Sequence, residues 1–160
     1  TEINHIHGEN HQAYDKVDAI AGVATGAIPQ GALVAEELNL PFVYVRSSPK
    51  DHGLENLIEG ELRPGMKVVV IEDLISTGGS SLKAVEAIRR DGCEVIGMVA
   101  AYTYGFPVAI EAFKNAKVNL VTLTNYEAVL EVAVKTGYIN EEDVAVLDAW
   151  RKDPAHWTGK

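Results

Sequence analysis

Residues 67–82 read "KVVVIEDLISTGGSSL". Lys67 is followed by four apolar residues, then by Glu72 and Asp73, then by Leu74, Ile75 and a run of Ser, Thr and Gly. An apolar run without polar alternation is the pattern of a strand buried on both faces. The paired glycines break it, and a helical pattern over 80–91 follows, closed by Gly92. Strand, glycine-rich turn and helix form the repeating unit of an α/β sheet.

The same unit recurs on either side. Short apolar runs stand at 18–24 ("DAIAGVA"), 41–46 ("PFVYVR"), 94–102 ("EVIGMVAAY") and 117–123 ("KVNLVTL"). Helix patterns fill the gaps at 29–38, 107–116, 126–136 and 141–150. Pro29 and Pro107 open two of them. Thr124 or Asn125 is expected to cap 126–136; Thr124 with Glu127, and Asn140 with Asp143, have the spacing of capping boxes. The expected fold is α/β: a three-layer, doubly wound, mostly parallel sheet with right-handed crossovers. Residues 1–160 make a single domain, with a polar segment at 1–17 and no internal repeat. Residues 47–60, "SSPKDHGLENLIEG", are too long and polar for a plain connection and read as a functional loop.

Composition narrows the partners. Of 160 residues, 47% are apolar and 23% charged, an ordinary globular balance with room for a core. The net charge of −9 argues against general binding to nucleic acid or membrane surfaces. With one cysteine, no internal disulfide can form. That, and the absence of a long apolar span, leads us to expect a cytoplasmic protein. Cys93 reads as a small buried thiol at a strand start. His5, His7 and His11 lie in a polar segment without a completing Cys or acid cluster, so no protein metal site is expected.

The turn after Ile75 carries the chemistry. In doubly wound sheets, ligands bind beyond the carboxyl ends of the strands. A helix N-terminus there offers free N–H groups and a positive dipole end to an anion. Gly78 and Gly79 let backbone approach a ligand, and Ser76, Thr77, Ser80 and Ser81 add hydroxyls. This is a phosphate cradle, but neither GxGxxG nor a P-loop. Phosphate does not call for carboxylates, whereas vicinal sugar hydroxyls do. Glu72 and Asp73 therefore read as acceptors for a ribose and as stabilisers of positive charge on its ring. Together the elements form one site for a ribose 5-phosphate.

"VVVIEDLISTGGSS" resembles the phosphoribosyl pyrophosphate (PRPP) motif of type I phosphoribosyltransferases, and in particular the orotate branch. The resemblance implies that PRPP is bound by Glu72, Asp73, Leu74, Ile75, Ser76, Thr77, Gly78, Gly79 and Ser80, with Asp73 catalytic and Ser76 touching the orotate ring. "VRSSPKDHGLENLIEG" is similar to that branch's mobile catalytic loop, with Arg46, Lys50 and His52 matching its basic positions. It implies that all three bind PRPP, that Lys50 and His52 are catalytic, and that the loop acts in the neighbouring subunit of a homodimer. Ser47 stands where many members carry lysine. In "GVATGAIPQG" (22–31), Thr25, Gly26 and Ala27 match the loop that gives backbone groups to pyrophosphate.

The implied sheet has parallel order 2-1-4-5-6, with an antiparallel edge strand near 57–62. The implied reaction joins orotate to PRPP, giving orotidine 5′-monophosphate and pyrophosphate, with Mg²⁺ held mainly through PRPP. A purine phosphoribosyltransferase and a catalytically inactive PRPP-binding regulator are the alternatives. The family's N-terminal hood, which carries part of orotate recognition, has no counterpart in residues 1–17, so the chain is expected to lack it. The tail from 121 to 157 is similar to that of some bacterial orotate enzymes, with Trp150 and Trp157 expected to pack on the body. Tyr102 and Tyr104 fall just past a strand, bordering either the base pocket or the core.

Overall fold

The computed structural model describes residues 16–46 and 57–158. In chain order they form β1 (Ala19–Val23), α1 (Ile28–Leu38), β2 (Phe42–Val45), β3 (Ile58–Glu59), β4 (Lys67–Ile75), α2 (Gly79–Arg90), β5 (Glu94–Thr103), α3 (Pro107–Asn115), β6 (Leu120–Asn125), α4 (Tyr126–Lys135) and α5 (Glu141–Lys152). The strands make one sheet of order β3-β2-β1-β4-β5-β6. All neighbours are parallel except β3, which runs antiparallel to β2 at the edge. The expected fold, strand order and edge strand are all present.

The unalternating apolar runs are explained by burial on two sides. Successive strand residues point to opposite faces. Ala19, Ala21 and Val23 of β1 and Val68 and Val70 of β4 join one core with Ala84, Val85 and Ile88 of α2 and Ala109 and Phe113 of α3. Ile20, Val69 and Ile71 point the other way, into a second core with Ala27, Ala35, Val34 and Leu38 at and along α1. Helices on both faces leave no polar side for the central strands.

Local chemistry sets the element ends. Asn39 closes α1 in the left-handed region (φ 53°), its amide donating to Ala35 and Glu36 carbonyls. Asn125, rather than Thr124, caps α4 by accepting the Ala128 amide. Asn140 and Asp143 form the expected capping box on α5. The last core strand starts at Leu120, three residues later than the pattern at 117–123 suggests. Lys117 takes a left-handed conformation and the Val118 amide donates to the Phe113 carbonyl, so both residues finish α3.

The C-terminal elements fold back through aromatic contacts. Trp150 of α5 packs edge-on against Tyr104 and Phe106 and lies against Tyr126. Arg151 sits over the Tyr126 ring, donates from Nε to the Tyr104 carbonyl, and pairs with Glu127. The Trp150 half of the expected packing is thus in place.

The two-sided core makes the smaller cluster sensitive to lost volume. Ile20→Ala is expected to lower the unfolding free energy by about 2–5 kcal/mol at unchanged denaturant slope, read by urea titration. A loss well below that range would mean that the α1 face is not close-packed.

Candidate active site

The strand order reverses between β1 and β4. From β1 the chain crosses through α1 to β2 on one side; from β4 it crosses through α2 to β5 on the other. The two helices lie on opposite faces. The turns that follow β1 and β4 therefore leave adjacent strands and diverge, opening the crevice in which such sheets hold ligands. These are the two turns singled out in the sequence.

The acid pair lies within β4, which continues to Ile75, rather than in the turn. Its two side chains go to opposite faces. Glu72 follows Val68 and Val70 toward α2, where it is only 4% exposed. One carboxylate oxygen accepts the Asp73 amide (3.0 Å) and the other accepts the Ser81 hydroxyl (2.7 Å). Burial pushes the Glu72 carboxyl up to about 7, partly offset by the Ser81 hydrogen bond, with the Asp73 side chain adding to the rise. Asp73 follows Val69 and Ile71 toward the first turn and is half-buried. Its Oδ1 accepts the Leu74 amide at 2.7 Å. Its Oδ2 lies so near Gly26 that a Cβ there would stand 1.8 Å away. Glycine at 26 is what allows the first turn to close over the acid.

The turn after β4 leaves a helix end open. Gly78 is the N-cap residue of α2 at φ 83°, and a side chain there would meet the Phe113 ring at 2.7 Å. No side chain caps the helix, and no acid occupies its first turn. The first amides of this 12-residue helix thus face outward without side-chain partners, the arrangement that suits an anion. Ser76 is half-buried; Thr77, Gly79 and Ser80 are exposed. The turn is anchored from β5: the Tyr104 amide donates to the Ile75 carbonyl at 3.1 Å, and the Thr103 hydroxyl does so at 3.4 Å. Leu74 is exposed beside them.

In the first turn, Thr25 and Gly26 are exposed and Ala27 is buried. The Ala27 amide donates to the Val23 carbonyl and its carbonyl accepts from Gly31, so its backbone is spent within the fold. Thr25 and Gly26 carry the backbone amides that the turn can still present. Arg46 follows β2 at the same edge of the sheet, with Nη1 3.3 Å from Glu59. Lys50 and His52, with the rest of the expected loop from 47 to 56, lie outside the described residues, as do His5, His7 and His11.

The structure thus gathers Gly26, Asp73, Glu72 and the 76–80 turn at one crevice, with Arg46 two strands away. Ser81, expected from sequence to add a hydroxyl to the phosphate cradle, is instead buried and donates to Glu72. The available signal was a serine on the apolar stripe of an amphipathic helix. Tyr104 and Phe106 stack on each other within the aromatic cluster. A cleft between 105–107 and 148–152 contains none of the candidate site residues.

Comparison with known proteins agrees with this geometry. Residues 1–132 match the family described as phosphoribosyl transferase domain. The chain belongs to the phosphoribosyltransferase family. Within it, the chain is 91% identical over 146 residues to a protein of Phocaeicola vulgatus named orotate phosphoribosyltransferase, covering 91% of this chain and 69% of that one. A Bacteroides fragilis protein of the same name is 85% identical over 150 residues, covering 93% and 71%. Among solved structures, an orotate phosphoribosyltransferase from Aeropyrum pernix superposes with a TM-score of 0.71 at 31% identity, covering 86% of this chain and 75% of that one.

The raised Glu72 carboxyl makes stability depend on pH. Between its ordinary value of 4.5 and about 7, the unfolded chain releases this proton while the folded chain keeps it. The unfolding free energy therefore falls as pH rises through that window. Glu72→Gln removes the group, so its stability should decline less than that of the parent over the same window, measured by urea unfolding at several pH values. Parallel pH curves for the two proteins would contradict the buried, proton-retaining carboxyl.

Proposed function

We propose that this protein is an orotate phosphoribosyltransferase, transferring the phosphoribosyl group of PRPP to orotate to give orotidine 5′-monophosphate and pyrophosphate in pyrimidine nucleotide synthesis. The observation that carries the reading is the meeting, at one topological switch point, of a carboxylate pair and an uncapped helix N-terminus. That meeting occurs in a chain 91% identical to a protein bearing this name.

In this proposal the 5-phosphate sits on the turn from Ser76 to Ser80, held by backbone amides and hydroxyls. The half-exposed Asp73 accepts from the ribose hydroxyls. Glu72 stands behind it, held in place by Ser81 and the Asp73 amide and charged in the fraction that ionises near neutrality. Leu74 is exposed beside the site, whereas Ile75 is buried in the core and supports the turn through its carbonyl. Orotate N1 bonds to the anomeric carbon and gives up its proton to the departing pyrophosphate or to water, while pyrophosphate leaves with the electrons of the broken C–O bond. Positive charge grows on the ring as that bond stretches, and preorganised carboxylates oppose it without reorganising. Thr25 and Gly26 offer amides to pyrophosphate, and Arg46 offers positive charge. Ser76 borders the base.

The remaining parts of the proposal follow from the family resemblance. Lys50 and His52 act on the leaving pyrophosphate from the loop between β2 and β3, shorter than the 47–60 expected because Ile58 and Glu59 pair with β2 as the edge strand. That loop serves the neighbouring subunit of a homodimer. Mg²⁺ enters with PRPP and supplies charge neutralisation at the leaving group, held mainly by that substrate's own oxygens. The carboxylate and hydroxyl oxygens at the crevice are of the kind a hard cation carried by its ligand would take. Among the described residues no helix is long and apolar enough to cross a membrane, and a cytoplasmic location completes the reading.

The direct test supplies PRPP and Mg²⁺ with orotate, uracil, adenine or xanthine in turn. Orotidine 5′-monophosphate as the product supports the proposal; turnover of a purine alone, or PRPP binding without turnover of any base, contradicts it. Asp73→Asn is expected to lower turnover at least about tenfold without loss of fold. Unchanged turnover would remove Asp73 from the chemistry. Gly26→Ala, which pushes a methyl into the Asp73 carboxylate, is expected to cost about a hundredfold in turnover while the urea midpoint stays near that of the parent.

A further inference from the structure

Ser81 lies in the first turn of α2 and is 1% exposed. Among the described residues, it and Glu72 are the polar side chains buried in the core, and they are bonded to each other. The helix buries Ser81, Ala84, Val85, Ala87 and Ile88 against the sheet. Alanine would complete that stripe, whereas a buried hydroxyl costs free energy unless it is hydrogen-bonded. A serine near a helix start commonly turns back onto backbone amides. Here no side chain caps α2, and the Ser81 hydroxyl crosses to the sheet, 2.7 Å from Glu72. With the Asp73 amide on the other oxygen, the carboxylate plane is held at two points. Ser80, one position earlier, is exposed on the side where the helix end opens.

We propose that Ser81 is a positioning residue for the reaction: its hydroxyl fixes the Glu72 carboxylate behind Asp73 and ties the acid pair to the same helix turn whose amides receive the phosphate. One helical turn then sets the spacing between the two ends of the sugar phosphate. The proposal rests on the functional reading above for the identity of that ligand. The groups facing Glu72 are Asp73 on its own strand and Ser81 on α2; Thr25 and Gly26, over the neighbouring acid, are uncharged. Asp73 disfavours a second charge and Ser81 favours it. Without the hydroxyl, Glu72 should hold its proton to higher pH.

The test compares Ser81→Ala, Ser81→Thr, Glu72→Gln and the Ser81→Ala/Glu72→Gln double variant with the parent. Steady-state rates are measured across the neutral pH range, and PRPP affinity with Mg²⁺ is measured by calorimetry. Ser81→Ala should lower kcat/KM for PRPP about tenfold near neutrality with little change in KM for orotate. The deficit should shrink at higher pH, because the acid limb moves upward. Ser81→Thr should restore most of the loss. In the Glu72→Gln background, Ser81→Ala should have no further effect.

A Ser81→Ala profile superimposable on the parent's would overturn the proposal, as would a loss that is equal at every pH or that persists undiminished without Glu72. If the parent itself fails to turn over orotate, the functional reading fails. The positioning role is then decided by calorimetry: PRPP binding weakened by Ser81→Ala and restored by Ser81→Thr upholds it, and equal affinities refute it.

Discussion

Side chains on neighbouring strand residues must point to opposite faces of a sheet. At positions 72 and 73 this constraint falls at the carboxyl edge of β4, beside the strand-order reversal. It sends one carboxylate under α2 and the other beneath the turn after β1. Two residues that look equivalent in the chain thereby become different chemical groups. Glu72 is enclosed, doubly bonded and reluctant to ionise. Asp73 meets the crevice. The geometry needs both faces covered, which the two-sided core supplies, and it needs glycine at 26, where any side chain would collide with the acid.

A chain of net charge −9 that places acids beside an anion site meets two opposing fields. Distant surface charges are screened beyond ~8 Å at physiological ionic strength. The amides at the start of α2 act within hydrogen-bond distance and are not screened in that way. Local geometry can therefore attract phosphate despite the global field, while the carboxylates meet the sugar a few ångströms away. Burying Glu72 carries a desolvation cost, which the Ser81 hydroxyl and the Asp73 amide offset by hydrogen bonding. A site held this way gives up some stability at neutral pH in return for a carboxyl fixed in place.

Much of this was legible in the chain because the controlling signals are local. Four consecutive apolar residues at 68–71 indicate a strand covered on both sides, and the structure buries them there. Gly78 marks a turn because its φ of 83° excludes most residues, and Asn140 with Asp143 closes its capping box within three positions. The apolar run at 117–123 misled at its start, since Val118 is buried as the end of a helix rather than as a strand residue. What sequence could not display were pairings across distance: Gly26 against Asp73, and Arg151 against Tyr104, both 47 positions apart. The unequal roles of Glu72 and Asp73 were open to inference from strand period, but only once β4 was known to run past both of them.

The central claim is that a single sugar phosphate is held from two ends, by Asp73 at its ribose hydroxyls and by the amides opening α2 at its phosphate. A crystal structure with a ribonucleoside 5′-monophosphate bound tests it most directly. The account predicts the phosphorus over the 76–80 turn, with the ribose hydroxyls at Asp73. A phosphate seated elsewhere, with that turn empty, would contradict it.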